Sequence, residues 1–517
     1  MKKTRFFAVF LILTMLFNLV SCGENMDTSA SAQTAENTQA EQKILKLAVD
    51  FSYSSLDPHK EYYGWLTSIY GITETLFRME DDGSTEPMLA QMGELSEDGL
   101  TWTITLKDGV CFSNGNPVTA EMVVRNLYRA AEVNSRFAYI GEYEITAIDD
   151  KILTIVTSEV YPTMLNDLAS AELAIIDLDN TSDPDSAPIA TGPFVIKSFE
   201  PEDKAEVVKN ENYWNGEVKL DGAIFYYMQD DESKLMAMQN GEIDGYTGVT
   251  AAAKEVYEMD SDSYKLTEVS TSRLQFYILN ENTMDDSLRE AVNLAIDCEK
   301  IAEYLNGTVT PAIGPFRTSA AYGKVENPES NAEKAKLLLE ENGYVLNSEG
   351  IYEKDGIPVC LNLCYYAARS LDSIALLMQE QLKSIGIDVT LACAEDPDST
   401  YIASGDFDIA LYCMISDKNG DPYYFIDSTL RSSAYFNVGG FDDQECESLI
   451  NQLQYEVDSE VRTELANKII QTAIDDNAFG YIGLFNKITV SRPEVSGIFE
   501  NSPFDFYLID ADTDIEG

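Results

Sequence analysis

The chain is expected to be an α/β protein, and three observations carry that expectation. Segments that alternate apolar and polar residues with a period of two are interleaved with segments whose apolar residues recur every three to four positions. Glycines and turn dipeptides mark the boundaries between them. The chain has 517 residues, 45% of them hydrophobic, which on the usual length prior allows roughly two to four domains with sizeable cores. Past residue 43 there is no internal repeat and no low-complexity stretch.

Residues 44–49 open the ordered part as an alternating strand. Asp98-Gly99 is a turn, and 101–106 follows with strict alternation that puts Trp102, Ile104 and Leu106 on one face, the mark of a half-buried strand. Asn114-Gly115 marks another turn, and Thr119 then caps a helix over 120–131. In 287–296, Leu288, Ala291, Val292, Ala295 and Ile296 recur with helical spacing. A helix beginning at Asn331 runs to Gly343 as its stop, and another covers 373–385 before Gly386 and a strand over 387–391. Residues 408–414 read as a strand in which Tyr412 and Cys413 are core.

The N-terminus reads as a processing signal. Lys2, Lys3 and Arg5 precede an apolar run from Phe6 to Val20, broken only by Thr14 and Asn18. As a helix this run of about 15 residues spans roughly 22 Å, too short to cross a bilayer comfortably. Leu19-Val20-Ser21-Cys22-Gly23 has the form of a lipoprotein cleavage box, with small residues on both sides of the cysteine. Cleavage before Cys22 would make its thiol the lipid-attachment point of an exported protein. Residues 23–43 contain no aromatic and no β-branched apolar residue, so they are expected to form a flexible tether.

Charge and cysteines narrow the possibilities. There are 35 basic and 89 acidic residues, a net charge of −54. A body this negative repels phosphate backbones and anionic headgroups, which argues against nucleic acid as a partner. Besides Cys22 there are seven cysteines, widely spaced and without C-x-x-C. Cys360 and Cys364, four apart on a strand, would be roughly 13 Å apart and beyond disulfide reach. Most of the seven are expected to be small buried hydrophobes. One histidine, His59, makes a metal cluster improbable on composition.

Catalytic signatures are missing from the sequence. There is no Gly-rich phosphate loop, no G-x-S-x-G elbow and no H-E-x-x-H. A serine or cysteine nucleophile needs a histidine base, and His59 sits in a loop-like Asp-Pro-His-Lys context. With 89 acidic residues, paired carboxylates carry no information. Residues 417–421 resemble a calcium loop only faintly, because the glycine is two places early and position twelve would be Ser428. The chain is therefore not expected to be an enzyme.

A set of phrases in a fixed order resembles the family 5 extracellular solute-binding proteins, the receptors of peptide and nickel ABC importers. These are Leu56-Asp57-Pro58-His59, Glu86-Pro87-Met88-Leu89-Ala90, Ser96 to Trp102, Leu106 to Val110 and Phe112 to Pro117. Further on come Thr191-Gly192-Pro193-Phe194, Asn210 to Trp214, Gly241-Glu242-Ile243-Asp244 and Arg289 to Asp297. Each phrase alone is weak; their order over about 44–500 is the signal. The resemblance implies a two-lobed fold of the periplasmic-binding-protein type (type II, the large cluster with an extra subdomain in lobe one). Lobe one would comprise 44–275 plus 488–517, with the inserted subdomain at about 80–190, and lobe two 276–487. The chain would cross near 272–282 and return near 485–490. Ligand would bind in the cleft between lobes, which close over it on a hinge.

The same resemblance implies site residues and partners. Asp421, in Gly420-Asp421-Pro422, resembles the aspartate that pairs with a peptide's α-ammonium. Arg136 resembles an arginine of the nickel-chelate branch that grips a ligand carboxylate, with Tyr139 stacking on the ligand. Trp65 and Tyr62, with Tyr63, begin the first helix after the Asp-Pro-His loop and line the cleft or pack beside it. His59 is a candidate single metal ligand. The implied partners are an oligopeptide, dipeptide or related small solute, ABC permease subunits, and the membrane through a lipid on Cys22, with the protein a monomer. No cofactor is expected; nickel bound through an organic chelator is the alternative, and a peptide-sensing receptor on the same fold is another.

Overall fold

The computed structural model of the protein describes residues 42–498 and 508–516. The signal segment, Cys22 and the tether to residue 41 lie outside the described residues. Among the described residues no helix is long and apolar enough to cross a membrane.

One large mixed sheet organises residues 42–491. Its strands run in the order Asp388–Ala394, Cys360–Tyr366, Ile409–Ile415, Lys265–Leu279, Phe479–Ser491, Gly245–Thr247, Ile44–Val49, Gly222–Tyr227, Lys204–Lys209 and Phe194–Glu200, with Val309–Pro311 added beside Phe479–Ser491. Parallel pairs occupy two separate places. Ile44–Val49 lies parallel to Gly222–Tyr227 and to Gly245–Thr247, and Cys360–Tyr366 lies parallel to Asp388–Ala394 and to Ile409–Ile415. Between these two groups the long strands Lys265–Leu279 and Phe479–Ser491 run antiparallel and belong to both.

Their pairing is broken in the middle. Lys265 to Ser270 pairs with Ser491 to Asn486, and the register then shifts before Leu274 meets Leu484. The shift follows from local chemistry. The Thr271 hydroxyl donates to the Phe485 carbonyl at 2.9 Å and accepts from the Arg273 amide at 3.2 Å, so the side chain takes over bonds the ladder gives up. A bulge of this kind bends the strand and weakens the ladder locally. Gly480 is required nearby, because a Cβ there would occupy the Tyr277 ring.

Residues 76–175 bury a core of their own, with Trp102, Phe112, Leu127, Phe137 and Ile155 at its centre. It is backed by the antiparallel sheet Ala90–Leu95, Thr101–Leu106, Ile152–Val156, Glu144–Ala147. Polar contacts tie this segment to residues beyond 316. Arg317 donates to the Asp81 carbonyl at 2.7 Å, and the side-chain amides of Asn166 and Asn419 donate to each other's backbone carbonyls at 2.6 and 3.1 Å.

The local readings follow periodicity closely. The strand Thr101–Leu106 buries Trp102, Ile104 and Leu106. The helix Ala120–Val133 is capped by Thr119, whose hydroxyl accepts from the Met122 amide. The helix Asp286–Ala295 starts one residue before the expected position because Asp285 caps it, and Asn331 caps Ala332–Glu341. The helix Leu371–Ser384 begins two residues early, without a side-chain cap, after Arg369 and Ser370 in left-handed backbone. The cysteines correct the expectation of burial. Cys364, Cys413 and Cys446 are buried, but Cys111 and Cys298 are half-buried, and Cys360 and Cys393 are exposed on the outermost pair of strands.

Candidate ligand-binding site

The Asp-Pro-His loop and the helix after it generate two clusters with different properties. In the first, the Arg129 guanidinium forks onto Asp57, Nη1 to Oδ1 at 2.8 Å and Nη2 to Oδ2 at 2.5 Å, and Asp57 is fully buried. Burial alone would raise the Asp57 carboxyl, but the two bonds from Arg129 hold it below the usual carboxylate range. His59 completes the knot. Its Nε2 bonds the Ala174 carbonyl at 2.9 Å and its Nδ1 bonds Arg129 at 2.7 Å. Burial, aided by Arg129, pushes the imidazole down to about 4 against the pull of the Ala174 carbonyl and Asp57. This corrects the expectation that His59 serves as a metal ligand: both ring nitrogens are engaged and the ring has no exposed surface. Among the described residues no group of three or more His, Cys, Asp or Glu is placed to hold a metal ion.

The second cluster is open. Arg136 starts the 3₁₀ helix Ser135–Glu142, fixed there by Asn134, whose side chain accepts from the Arg136 amide and donates to the Glu61 carbonyl. The guanidinium stacks on Tyr62 at 4.1 Å and pairs with Glu172 at 2.7 Å. It remains 38% exposed, and Tyr62 is 48% exposed. Behind Tyr62 an aromatic wall continues, with Trp65 stacked on Phe51 at 5.6 Å, Phe51 beside Tyr53 at 5.8 Å, and Tyr53 beside Tyr63 at 5.0 Å. The Trp65 indole N–H is buried without a hydrogen-bond partner among the described residues, a donor left for another group to satisfy. Tyr424, from the helix Tyr423–Leu430, completes the arrangement. Burial raises its phenol, Tyr62 adds to that, and Arg136 opposes it, so the three groups share one field. The structure thus joins Arg136, Tyr62 and, through Phe51 and Tyr53, Trp65 into one surface.

Two other expected site residues are used elsewhere. Asp421 accepts from the Tyr423 amide at 2.8 Å and pairs with Arg462 at 2.5 Å, so its charge is already matched and it does not offer a free carboxylate to an α-ammonium. Tyr139, one 3₁₀ turn after Arg136, is turned into the interior. Its hydroxyl donates to Asp167 at 2.6 Å, and its ring packs against Tyr143 and Tyr161 instead of facing the open surface.

Three features escaped the sequence reading. Asp417 is fully buried beside Arg317 at 3.8 Å; it accepts from the Tyr322 hydroxyl at 3.1 Å on Oδ2, while its Oδ1 has no hydrogen-bond partner among the described residues. Burial raises its carboxyl against Arg317. Glu74 is buried under Trp214 and Tyr213, which both donate to it at 2.8 Å, yet burial still lifts it to about 7. Arg273, at the register break, and Arg369, before the helix Leu371–Ser384, flank Tyr366 and Cys413. Neither forms an ion pair with any described residue, although acidic residues far outnumber basic ones in the chain. The Gln275 side chain fixes Arg369 by donating to its carbonyl at 2.7 Å.

Two groups of parallel strands joined by a pair of shared, interrupted strands, with aromatic and arginine side chains near the junction, describe a two-lobed α/β binding protein. Residues 84–437 match the family model of bacterial extracellular solute-binding proteins, family 5, and the chain belongs to that family. It is 29% identical to the nickel-binding protein NikA of Staphylococcus aureus over 86% of this chain and 89% of that protein. It is 24% identical to the dipeptide-binding protein DppE of Bacillus subtilis over 94% and 95%. Among solved structures, a nickel ABC transporter protein from Bacillus halodurans superposes with a TM-score of 0.85 at 27% identity, covering 92% of this chain and all of that one. Staphylococcus aureus NikA in complex with Ni(L-His)2 superposes with a TM-score of 0.69 at 28% identity over the same shares. The fold is the two-lobed one the sequence implied.

Proposed function

We propose that this protein captures a carboxylate-bearing organic solute, a dipeptide or short oligopeptide, outside the cell and delivers it to the membrane subunits of an ABC importer. The observation that carries the reading is the pair Arg273 and Arg369, two guanidinium groups without ion-pair partners among the described residues of a chain of net charge −54. An unpaired arginine fork suits a carboxylate in bidentate geometry. Arg136, Tyr62, Trp65 and Tyr424 supply the stacking surface and donors for the rest of the ligand. In this reading lobe one comprises 44–275 and 488–517, lobe two 276–487, and the interrupted strands are the hinge. Ligand contacts made only in the closed state drive closure.

A second reading is favoured by the nickel-binding relatives: the solute is a nickel ion wrapped in an organic chelator. With His59 sealed, coordination would come from the chelator, and the same arginines would grip its carboxylates. Native mass spectrometry of the protein purified from cells separates the two. A bound peptide supports the first reading, and a nickel-containing small molecule replaces it with the second. Lipid attachment at Cys22, with the protein a monomer, completes the proposal; Cys22→Ala is expected to move the protein from the membrane fraction to the soluble one, and continued membrane association would refute the anchor.

A further inference from the structure

A cavity of about 420 Å³ beside Glu74, a surface of apolar side chains on the small sheet at 345–358, and a tyrosine-lined cavity near Tyr139 lie apart from the Arg136 surface. The last has walls with a definite chemical preference. It measures about 330 Å³ and lies between the segment 139–163 and the helices that carry Tyr423, Tyr455 and Arg462. Tyr139, Tyr143 and Tyr161 form a three-ring cluster with centroids 6.0 to 6.4 Å apart. Tyr139 and Tyr161 both donate their hydroxyls to Asp167 Oδ2, at 2.6 and 2.5 Å. A phenol that donates to a carboxylate carries more electron density in its ring, which strengthens the attraction of the ring face for a cation.

The charges around the cavity agree. Glu142 and Glu159 line it and are both exposed; neither pairs with a cation among the described residues, and Glu159 only accepts from the Tyr455 hydroxyl at 3.2 Å. Arg462 also lines it, but its charge is matched by Asp421 at 2.5 Å and its remaining donors reach the Leu453 and Glu456 carbonyls. Lys418 approaches Asp167 from its other oxygen at 3.8 Å and is not part of the lining.

We propose that this cavity is a second binding site, distinct from the Arg136 surface, that accepts an organic ammonium ion between the Tyr139–Tyr143–Tyr161 cluster and the carboxylates of Glu142 and Glu159. The volume of about 330 Å³ has room for a trimethylammonium head or the end of a lysine side chain. The ammonium can come from a free small molecule or from a lysine side chain, and the test uses both. Choline and Nα-acetyl-lysine methylamide are titrated into the mature chain by calorimetry. Their uncharged counterparts, 3,3-dimethylbutan-1-ol and Nα-acetyl-norleucine methylamide, are titrated in parallel at equal ionic strength. One of the cations is expected to bind about tenfold more tightly than its counterpart, and which one does so identifies the source. Tyr143→Leu is expected to abolish that preference. Glu142→Gln with Glu159→Gln, both on exposed side chains and therefore compatible with folding, is expected to weaken the cation alone. Equal binding of cation and counterpart, or a preference unchanged in the double glutamine variant, overturns the site.

Discussion

Arg129 and Arg136 are seven residues apart and both reach the same loop, yet they do opposite things. Arg129 is locked onto the fully buried carboxylate of Asp57, and both ring nitrogens of its neighbour His59 are bonded. Arg136 holds Glu172 with one nitrogen and leaves its face on Tyr62, in reach of solvent. The contrast teaches that a charged residue is available for ligand only where its surroundings leave it unsaturated. A pair built on a fully buried carboxylate is fold architecture, and removal of the arginine leaves an uncompensated buried charge.

The sharpest way to break the contrast is to truncate both arginines. Arg129→Ala, which strands Asp57, is expected to cost about 4 kcal/mol of stability in urea unfolding. Arg136→Ala is expected to cost under about 1 kcal/mol by the same measurement. Equal losses would erase the distinction.

The pH dependence of the buried groups sharpens it next. His59 is depressed to about 4, so the folded state binds fewer protons than the unfolded one, and its contribution is complete above pH 6.5 and lost as pH falls toward 4. Glu74 is raised to about 7, so its contribution is complete below pH 4.5 and lost as pH rises through 7. Between pH 4.5 and 6.5 the two slopes oppose each other, and the wild-type chain is expected to show a nearly flat stability there. Glu74→Gln should expose the rising slope of His59, on the order of 3 kcal/mol across the window. A variant that stays flat in pH-dependent urea unfolding would show that His59 is not titrating as the knot requires.

On the open side, Arg136→Ala, Arg273→Ala and Arg369→Ala are each expected to weaken binding of the solute recovered with the protein at least tenfold, about 1.4 kcal/mol. Unchanged calorimetric titrations for all three would refute the site. The smallest expected effect is local. Thr119→Ala removes the cap of the Ala120–Val133 helix and should lower stability by about 1 kcal/mol without touching ligand affinity.

Much of this was legible in the chain because it is short-range. The strand Thr101–Leu106 and the helix Asp286–Ala295 follow from alternation and from helical spacing within a few residues. Arg136 follows from a resemblance spread over the chain and Tyr62 from its place at the start of the first helix, and the structure stacks one on the other. Tyr139 and Asp421 were drawn from the same resemblance and went elsewhere, because their partners, Asp167 and Arg462, are 28 and 41 residues away with no local signal linking them. Trp65 illustrates the middle ground: its place in an aromatic cluster was legible, its unsatisfied indole N–H was not.

By itself the sequence determined the α/β class, the caps and turns, the excess of negative charge and the family, since all of these depend on residue type and spacing alone. Tertiary structure decided which polar groups are spent and which are free. Hydrogen bonds saturate at particular atoms, and only the packing of distant segments brings a carboxylate to Arg129 and Arg462 while leaving Arg273 and Arg369 without one among the described residues.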